Sequence, residues 1–305
     1  MAFLEELSML FTQIAQNKRN TRWVLVGYGL LLIAITILFA QVSWQVALGF
    51  ALFGLGYVWY FYYHATRYLM RVTNAQAVSR VDAPVLYELV EELCLAGGLP
   101  MPALYVTPDE EPNAFATGRD PEHASLAVTA GLLAMMDQEE LRGVLGHELA
   151  HIRNYDIRVT TLTAALVQLV LLTGVTLVAF GWGLFASRVG GWLKLVLVIF
   201  GVAVLGLGLP LLVLGFPLAK LMFFALSRQR EYLADAGSAD LTRDPRGLIS
   251  ALQKLAALPA PGEATNLVVN SLAFNAAPPQ RWWANLLADH PALEKRITRL
   301  QASAQ

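Results

Sequence analysis

Three long stretches of the chain carry no acidic or basic side chain, and this pattern sets the first expectation. From Trp23 to Tyr63 there is no Asp, Glu, Lys or Arg. The polar break Gln41-Val42-Ser43-Trp44-Gln45 divides this stretch into two runs of about 18 residues, each just long enough to cross a hydrocarbon core of about 30 Å as a helix. A second uncharged stretch runs from Val159 to Ser187 and a third from Leu195 to Ala219. Arg188 and the turn formers Gly190-Gly191 separate them. The pattern predicts four membrane-spanning helices in two hairpins, over residues 23–66 and 159–226. Pro210 and Pro217 fall in the fourth span, where neighbouring helices can satisfy the carbonyls that proline frees.

The intervening regions, residues 67–158 and 227–305, are patterned like a water-soluble unit and together form the expected catalytic region. Asp82-Ala83-Pro84 reads as a capped helix start, and Val85, Leu86, Leu89, Val90 and Leu93 supply a helical stripe that Gly97-Gly98 and Pro100 end. Ala103 to Thr107 and Ala124 to Thr129 read as strands. The stretch between them, Pro108 to His123, is rich in turn formers. Asp137 with Glu140 forms a capping box that opens a helix carrying Leu141, Val144, Leu145 and Leu149. Ser227 to Ala236 continues as helix after the fourth span, Asp244-Pro245 starts another, and His290-Pro291 precedes a last one. Residues 259–281 read as irregular. The fold class is a mostly α integral membrane protein with four transmembrane helices and an α+β, zincin-like catalytic domain built on a small sheet.

Composition agrees: 56% of the 305 residues are hydrophobic and only 15% charged, where soluble domains are nearer a quarter charged. A net charge of -1 and the lack of a basic run exclude a general attraction to nucleic acid. Cys94, the only cysteine, lies on a helical apolar stripe and reads as a buried core thiol. Lys18, Arg19 and Arg22 before the first span, and Arg67, Arg71 and Arg80 after the second, place the N-terminus and residues 67–158 on the cytoplasmic side. Residues 1–22 do not read as a secretory signal. Phe3 to Ile14 reads as an amphipathic arm on the membrane surface.

The chemistry lies in Gly146-His147-Glu148-Leu149-Ala150-His151. This H-E-x-x-H spacing puts both imidazoles on one helical face a turn apart, able to hold one Zn²⁺, with Glu148 beside the metal but not on it. A catalytic zinc needs one more protein ligand, a third histidine or a carboxylate. Glu231, in Ser227-Arg228-Gln229-Arg230-Glu231-Tyr232-Leu233-Ala234-Asp235, is the candidate. Asp235 shares its helical face and could orient a ligand imidazole. Two crossings separate the histidines from Glu231, so all three return to the same side of the membrane. Asn154 and Asp156 read as closing the metal helix, His64 as an interfacial side chain and His123 as a loop residue. Trp282-Trp283 suits either the membrane interface or a core.

These residues resemble the HtpX-type membrane zinc metallopeptidases, relatives of the CAAX prenyl proteases. The resemblance rests on Asn113 to Gly118, on Gly146 to Asp156, on Ser227 to Asp235, and on His290-Pro291 followed by Glu294 and Arg296, with the hydrophobic spans in the same order. It implies one Zn²⁺ per chain and an endopeptidase of the bacterial inner membrane whose active site faces the cytoplasm. It implies unfolded or damaged membrane-protein segments as substrates, in a quality-control role. It also implies that Asn113 lies near an edge strand that pairs with extended substrate, and that His290 reaches the catalytic cleft. The alternatives are a prenyl-protein protease and a non-cleaving zinc-bound scaffold.

Overall fold

A computed structural model describes residues 44–210, 230–258 and 293–303, together with scattered positions between 19 and 40 and at 212–213. The expected N-terminal arm, most of the first span, Pro217, Trp282-Trp283 and His290 lie outside the described residues.

Where they are described, the uncharged stretches are helical, and the first of these helices outruns its apolar segment. Helix α1 (Trp44–Val72) continues past the last tyrosines of its apolar run into the arginine-bearing segment. It presents large apolar side chains outward, among them Trp44, Leu48, Leu52 and Trp59, each more than half exposed. A two-residue strand β1 (Gln76–Ala77) follows, then helix α2 (Pro84–Gly97). Pro84 starts α2 without a side-chain cap, because Asp82, the expected cap, accepts instead from the backbone N–H and hydroxyl of Ser79. Gly98 ends α2 at φ 61, a left-handed conformation that glycine adopts without a Cβ penalty.

Strands β2 (Ala103–Thr107) and β4 (Ala124–Thr129) form as the alternation predicts. The turn-rich reading of Pro108 to His123 is corrected: Ala114–Gly118 is a fully buried strand, β3. Its small residues, Ala114, Ala116 and Gly118, disguise it, because they carry little of the β-branched signal that marks strands. The sheet order is β1-β2-β4-β3, with β2 and β4 parallel and both outer pairs antiparallel. Among the described residues, β3 is therefore an edge strand. Asn113 extends its pairing by one residue: its carbonyl accepts from Thr129 N–H, and its N–H donates to the Thr129 hydroxyl.

A short helix, α3 (Ala130–Met135), leads to α4 (Gln138–Arg153), which opens with the full capping box of Asp137 and Glu140. The next helices are α5 (Asp156–Ala186) and α6 (Gly191–Pro210), followed by helical residues 230–242 (α7), α8 (Arg246–Ala256) and α9 (Leu293–Ser303). One apolar core joins Val90 and Leu93 of α2, Leu104 and Leu126 of the sheet, Leu145 and Leu149 of α4, Leu248 and Leu252 of α8, and Leu300 of α9. Cys94 is buried in it, and burial pushes its thiol up to about 11, so the thiol is inert.

Helices α5 and α6 pack as a hairpin in which glycine admits close backbone approach. A Cβ on Gly201 would stand 2.8 Å from the Gly181 carbonyl oxygen, and one on Gly208 2.9 Å from the Val178 nitrogen. Such small-residue contacts suit helices in lipid, where packing rather than the hydrophobic effect drives association. Among the described residues, Gly191–Leu209 is long and apolar enough to cross a bilayer, and Leu172–Ala186 is a shorter apolar stretch.

The same device docks α8 on α4. A Cβ on Gly143 would stand 2.4 Å from the Leu248 backbone nitrogen. Gly143→Ala should therefore overpack this contact and cost about 1–3 kcal/mol, seen as a lower unfolding midpoint of the purified protein in detergent.

Candidate metal centre

Helix α4 turns one face into the core and carries His147 and His151 at its C-terminal end, where α7 crosses it. The approach depends on small residues. A Cβ on Gly146 would stand 2.9 Å from Ser238 Oγ, and one on Gly237 2.6 Å from the Ala150 Cβ. The Ser238 hydroxyl donates to the Gly143 carbonyl at 2.7 Å. Glu231, Asp235, Ser238 and Thr242 recur at helical spacing on this face of α7, so fixing Ser238 on α4 delivers both carboxylates to the imidazoles.

The three candidate ligands then converge. His147 Nε2 lies 3.1 Å from His151 Nε2. Glu231 reaches His147 Nε2 with Oε2 at 3.7 Å and His151 Nε2 with Oε1 at 3.5 Å. One donor atom from each residue fits within 4.8 Å of the others. Donors about 2.0–2.1 Å from a tetrahedral ion stand about 3.4 Å from one another, so the observed separations suit a shared divalent ion.

The other face of each ring is already engaged. His147 Nδ1 is 3.0 Å from Asp235 Oδ1, and His151 Nδ1 is 2.8 Å from Asp156 Oδ2. A carboxylate on each Nδ1 holds the proton there and aims both Nε2 lone pairs at the same point. Two lone pairs 3.1 Å apart repel unless a proton or a cation lies between them. Burial and the Arg296 charge push the His147 imidazole down to about 4. Burial acts in the same direction on His151, but Asp156 and Glu231 outweigh it and raise that imidazole to about 10. The surroundings thus disfavour a charge on His147 and favour one beside the carboxylates at His151, the place where a metal cation would also be held.

Arg296, on α9, completes the arrangement. Its side chain is wholly buried and donates to both Asp235 oxygens, at 2.9 and 2.6 Å. Its Nη1 lies 3.4 Å from Glu231 Oε2. This guanidinium outweighs the burial of Asp235 and keeps its carboxyl below the usual range. His147 is 1% exposed at its side chain and His151 15%, so the centre opens on the His151 side.

Residues 81–304 match peptidase family M48. The chain belongs to this family. It is 40% identical to a protein named Protease HtpX homolog from Limosilactobacillus reuteri and 36% identical to one from Ligilactobacillus salivarius, each comparison covering 96% of this chain and 99% of the relative. A Streptococcus agalactiae protein of the same name is 39% identical over 300 residues. The crystal structure of S. mikatae Ste24p has a similar fold, with a TM-score of 0.51 at 14% identity, over 95% of this chain and 66% of that one. Family M48 is a peptidase family that uses a metal, and the clustered His147, His151 and Glu231 fit that requirement. The chain is a metalloprotease with a mostly helical fold and a small mixed sheet.

Of the site residues expected from sequence, His147, His151 and Glu231 are brought together around one point, with Asp235 behind His147 at its Nδ1. Glu148 is buried beside the ligands, 4% exposed. Asn113 lies at the start of the edge strand β3. Two further residues belong to the M48 centre. Asp156, read as closing the helix, orients His151. It can do so because Asn154 caps α4 and Tyr155 adopts a left-handed φ of 62, so α5 starts with its first carboxylate turned back on the ring. Its position five residues after His151 was the available signal. Arg296, one of the residues that carry the family resemblance, stands 61 residues beyond Asp235 in sequence, and nothing in the local pattern showed that it would reach that carboxylate.

Asp156→Asn is expected to weaken divalent-metal affinity about 10–100-fold, measured by zinc titration against a chelator. Arg296→Met leaves Asp235 and Glu231 buried without their cation. It should lower stability by about 3–5 kcal/mol, read from denaturant unfolding in detergent.

Proposed function

We propose that the protein is a zinc endopeptidase of the bacterial cytoplasmic membrane that cuts unfolded segments of membrane proteins at the cytoplasmic face. The convergence of His147, His151 and Glu231 beside Glu148 carries this reading. Zinc suits the mixed nitrogen and oxygen donor set, and three protein ligands leave a position open for chemistry. When bound, the ion acidifies water and polarises a peptide carbonyl.

In this reading Glu148 accepts a proton from the attacking water and delivers it to the leaving amine. Its burial on the ligand helix protects that exchange from bulk solvent. Asp235 and Asp156 hold the imidazoles in one tautomer, and Arg296 keeps Asp235 ionised. His290, from the segment just before α9, supplies a donor for the developing oxyanion. The substrate enters as an extended chain beside Asn113 and β3. Two observations support this: among the described residues β3 pairs on one side only, and α4 and α5 pack against it. Main-chain pairing is tolerant of sequence, as a protease of damaged proteins requires.

The membrane placement rests on the exposed apolar faces of α1 and α6 and on the glycine-packed α5–α6 hairpin. Four spans in two hairpins, with residues 67–158 and 227–305 joined on the cytoplasmic side, let His151 and Glu231 meet without crossing lipid. Lipid and unfolded polypeptide are the expected partners, and nucleic acid is not.

Glu148→Gln should retain one zinc per chain by elemental analysis while casein cleavage in detergent falls at least about 10²-fold. Cleavage at the native rate would overturn the assignment of Glu148.

A further inference from the structure

The junction between α1 and the sheet encloses a cleft of about 720 Å³ that the proteolytic reading does not use. Its basic wall is Arg67 and Arg71 of α1, Arg119 from the turn after β3, and His123; Tyr63 and Tyr105 contribute aromatic surface. We infer that this cleft binds the phosphate of an anionic phospholipid head group from the cytoplasmic leaflet.

Three observations converge. First, the cationic charge is unspent. Arg67 and Arg71 are exposed, stand one turn apart, and form no ion pair among the described residues. Asp120 is the nearby acid; it pairs with Arg119 at 3.5 Å and with His123 at 2.5 Å, so it offsets only part of the positive charge. Second, one guanidinium is held against the aromatic surface: Arg119 lies 5.1 Å from the Tyr63 ring centre. Leu69 and Met70 of α1 pack with Phe115 and Ala127 of the sheet, which fixes this end of α1 beside the cleft. Third, the level is right. Trp59, Tyr60 and Tyr63 are about half exposed or more, and they are followed within one or two turns by the first arginine after an uncharged run. Aromatic side chains followed by arginine mark the boundary between hydrocarbon and head groups.

A phosphate with its acyl chains still in the bilayer meets these groups without leaving its leaflet. Guanidiniums bind phosphate through paired N–H donors, and the tyrosine hydroxyls suit the glycerol region. The cleft is large enough for a whole head group, which distinguishes it from a simple surface charge. Occupancy would tie the end of α1 to the β3–β4 turn and so set the height of the edge strand above the membrane.

The inference rests on the membrane placement proposed above but not on peptide cleavage. The test uses the full chain in detergent, with dioleoylphosphatidylglycerol and dioleoylphosphatidylcholine as probes and bound lipid counted by native mass spectrometry. Phosphatidylglycerol should be retained in preference to phosphatidylcholine. Arg67→Gln and Arg119→Gln should each weaken it roughly fivefold, and the double variant more than tenfold. Arg67→Lys should restore much of the loss, which excludes misfolding as its cause. Arg80→Gln, at an exposed arginine paired with Glu91 outside the cleft, should change nothing. Equal retention by the double variant and the native chain would overturn the site, as would displacement of the lipid by millimolar inorganic phosphate. Carbonate extraction of the native chain from membranes tests the membrane placement separately: release into the soluble fraction refutes that placement, whatever the lipid counts.

Discussion

The structure depends on gathering like charges at a centre largely withdrawn from water. Asp156, Glu231 and Asp235 each lie against one or both of two imidazoles, His147 buried and His151 partly exposed. Carboxylates this deep persist in ionised form only if cations answer them. Arg296 answers Asp235 and Glu231 from one side, and the point between the Nε2 atoms is suited to a divalent ion on the other. The guanidinium is structural and the ion is chemical, yet they balance the same group of charges. This is why the last described helix is part of the active centre even though it contributes no ligand.

Bringing those charges together requires helices to approach more closely than ordinary side chains allow. Gly146 on the metal helix and Gly237 on the helix that crosses it lack the side chains that would hold the two apart, small Ser238 bonds across the contact, and Gly143 does the same for α8. Glu140 fastens the opposite end of the metal helix: it completes the capping box and accepts from Ser250 and Lys254 of α8 at 2.7 and 2.6 Å. The metal helix is thus anchored at its start by a buried carboxylate and held at its end by small residues. Side chains set in this way need little reorganisation to receive an ion, the condition for a preformed catalytic site.

Among the described residues, two short junctions join the catalytic unit to the apolar helices. Only Asn154 and Tyr155 separate the metal helix from α5, and the left-handed Tyr155 converts the end of one helix into an orienting carboxylate at the start of the next. The metal site and the entry to the apolar hairpin are therefore placed by one backbone turn. At the other junction, α1 runs past its aromatic residues to lay Leu69 and Met70 on the sheet. Both junctions hold the edge strand at a fixed position relative to the apolar helices they join.

The amino-acid order determined the local features whose physics is short-ranged. The H-E-x-x-H face, the Asp137–Glu140 capping box, the Gly98 stop, the strands Ala103–Thr107 and Ala124–Thr129 and the uncharged runs each express a spacing of a few residues, and each was readable directly. The pairing of Glu231 and Asp235 on one helical face belongs to the same class. Tertiary structure decided the rest. Ala114–Gly118 becomes a strand because β4 and two helices enclose it, not because its small residues favour one. Asp82 leaves the helix cap for Ser79. Asp156 becomes an orienting group only after a left-handed turn points it backward, and Arg296 joins the site only when a distant helix packs into the core. Sequence periodicity records which face of an element is apolar. It carries no record of which buried charge will meet which, because that pairing is fixed by the packing of elements far apart in the chain.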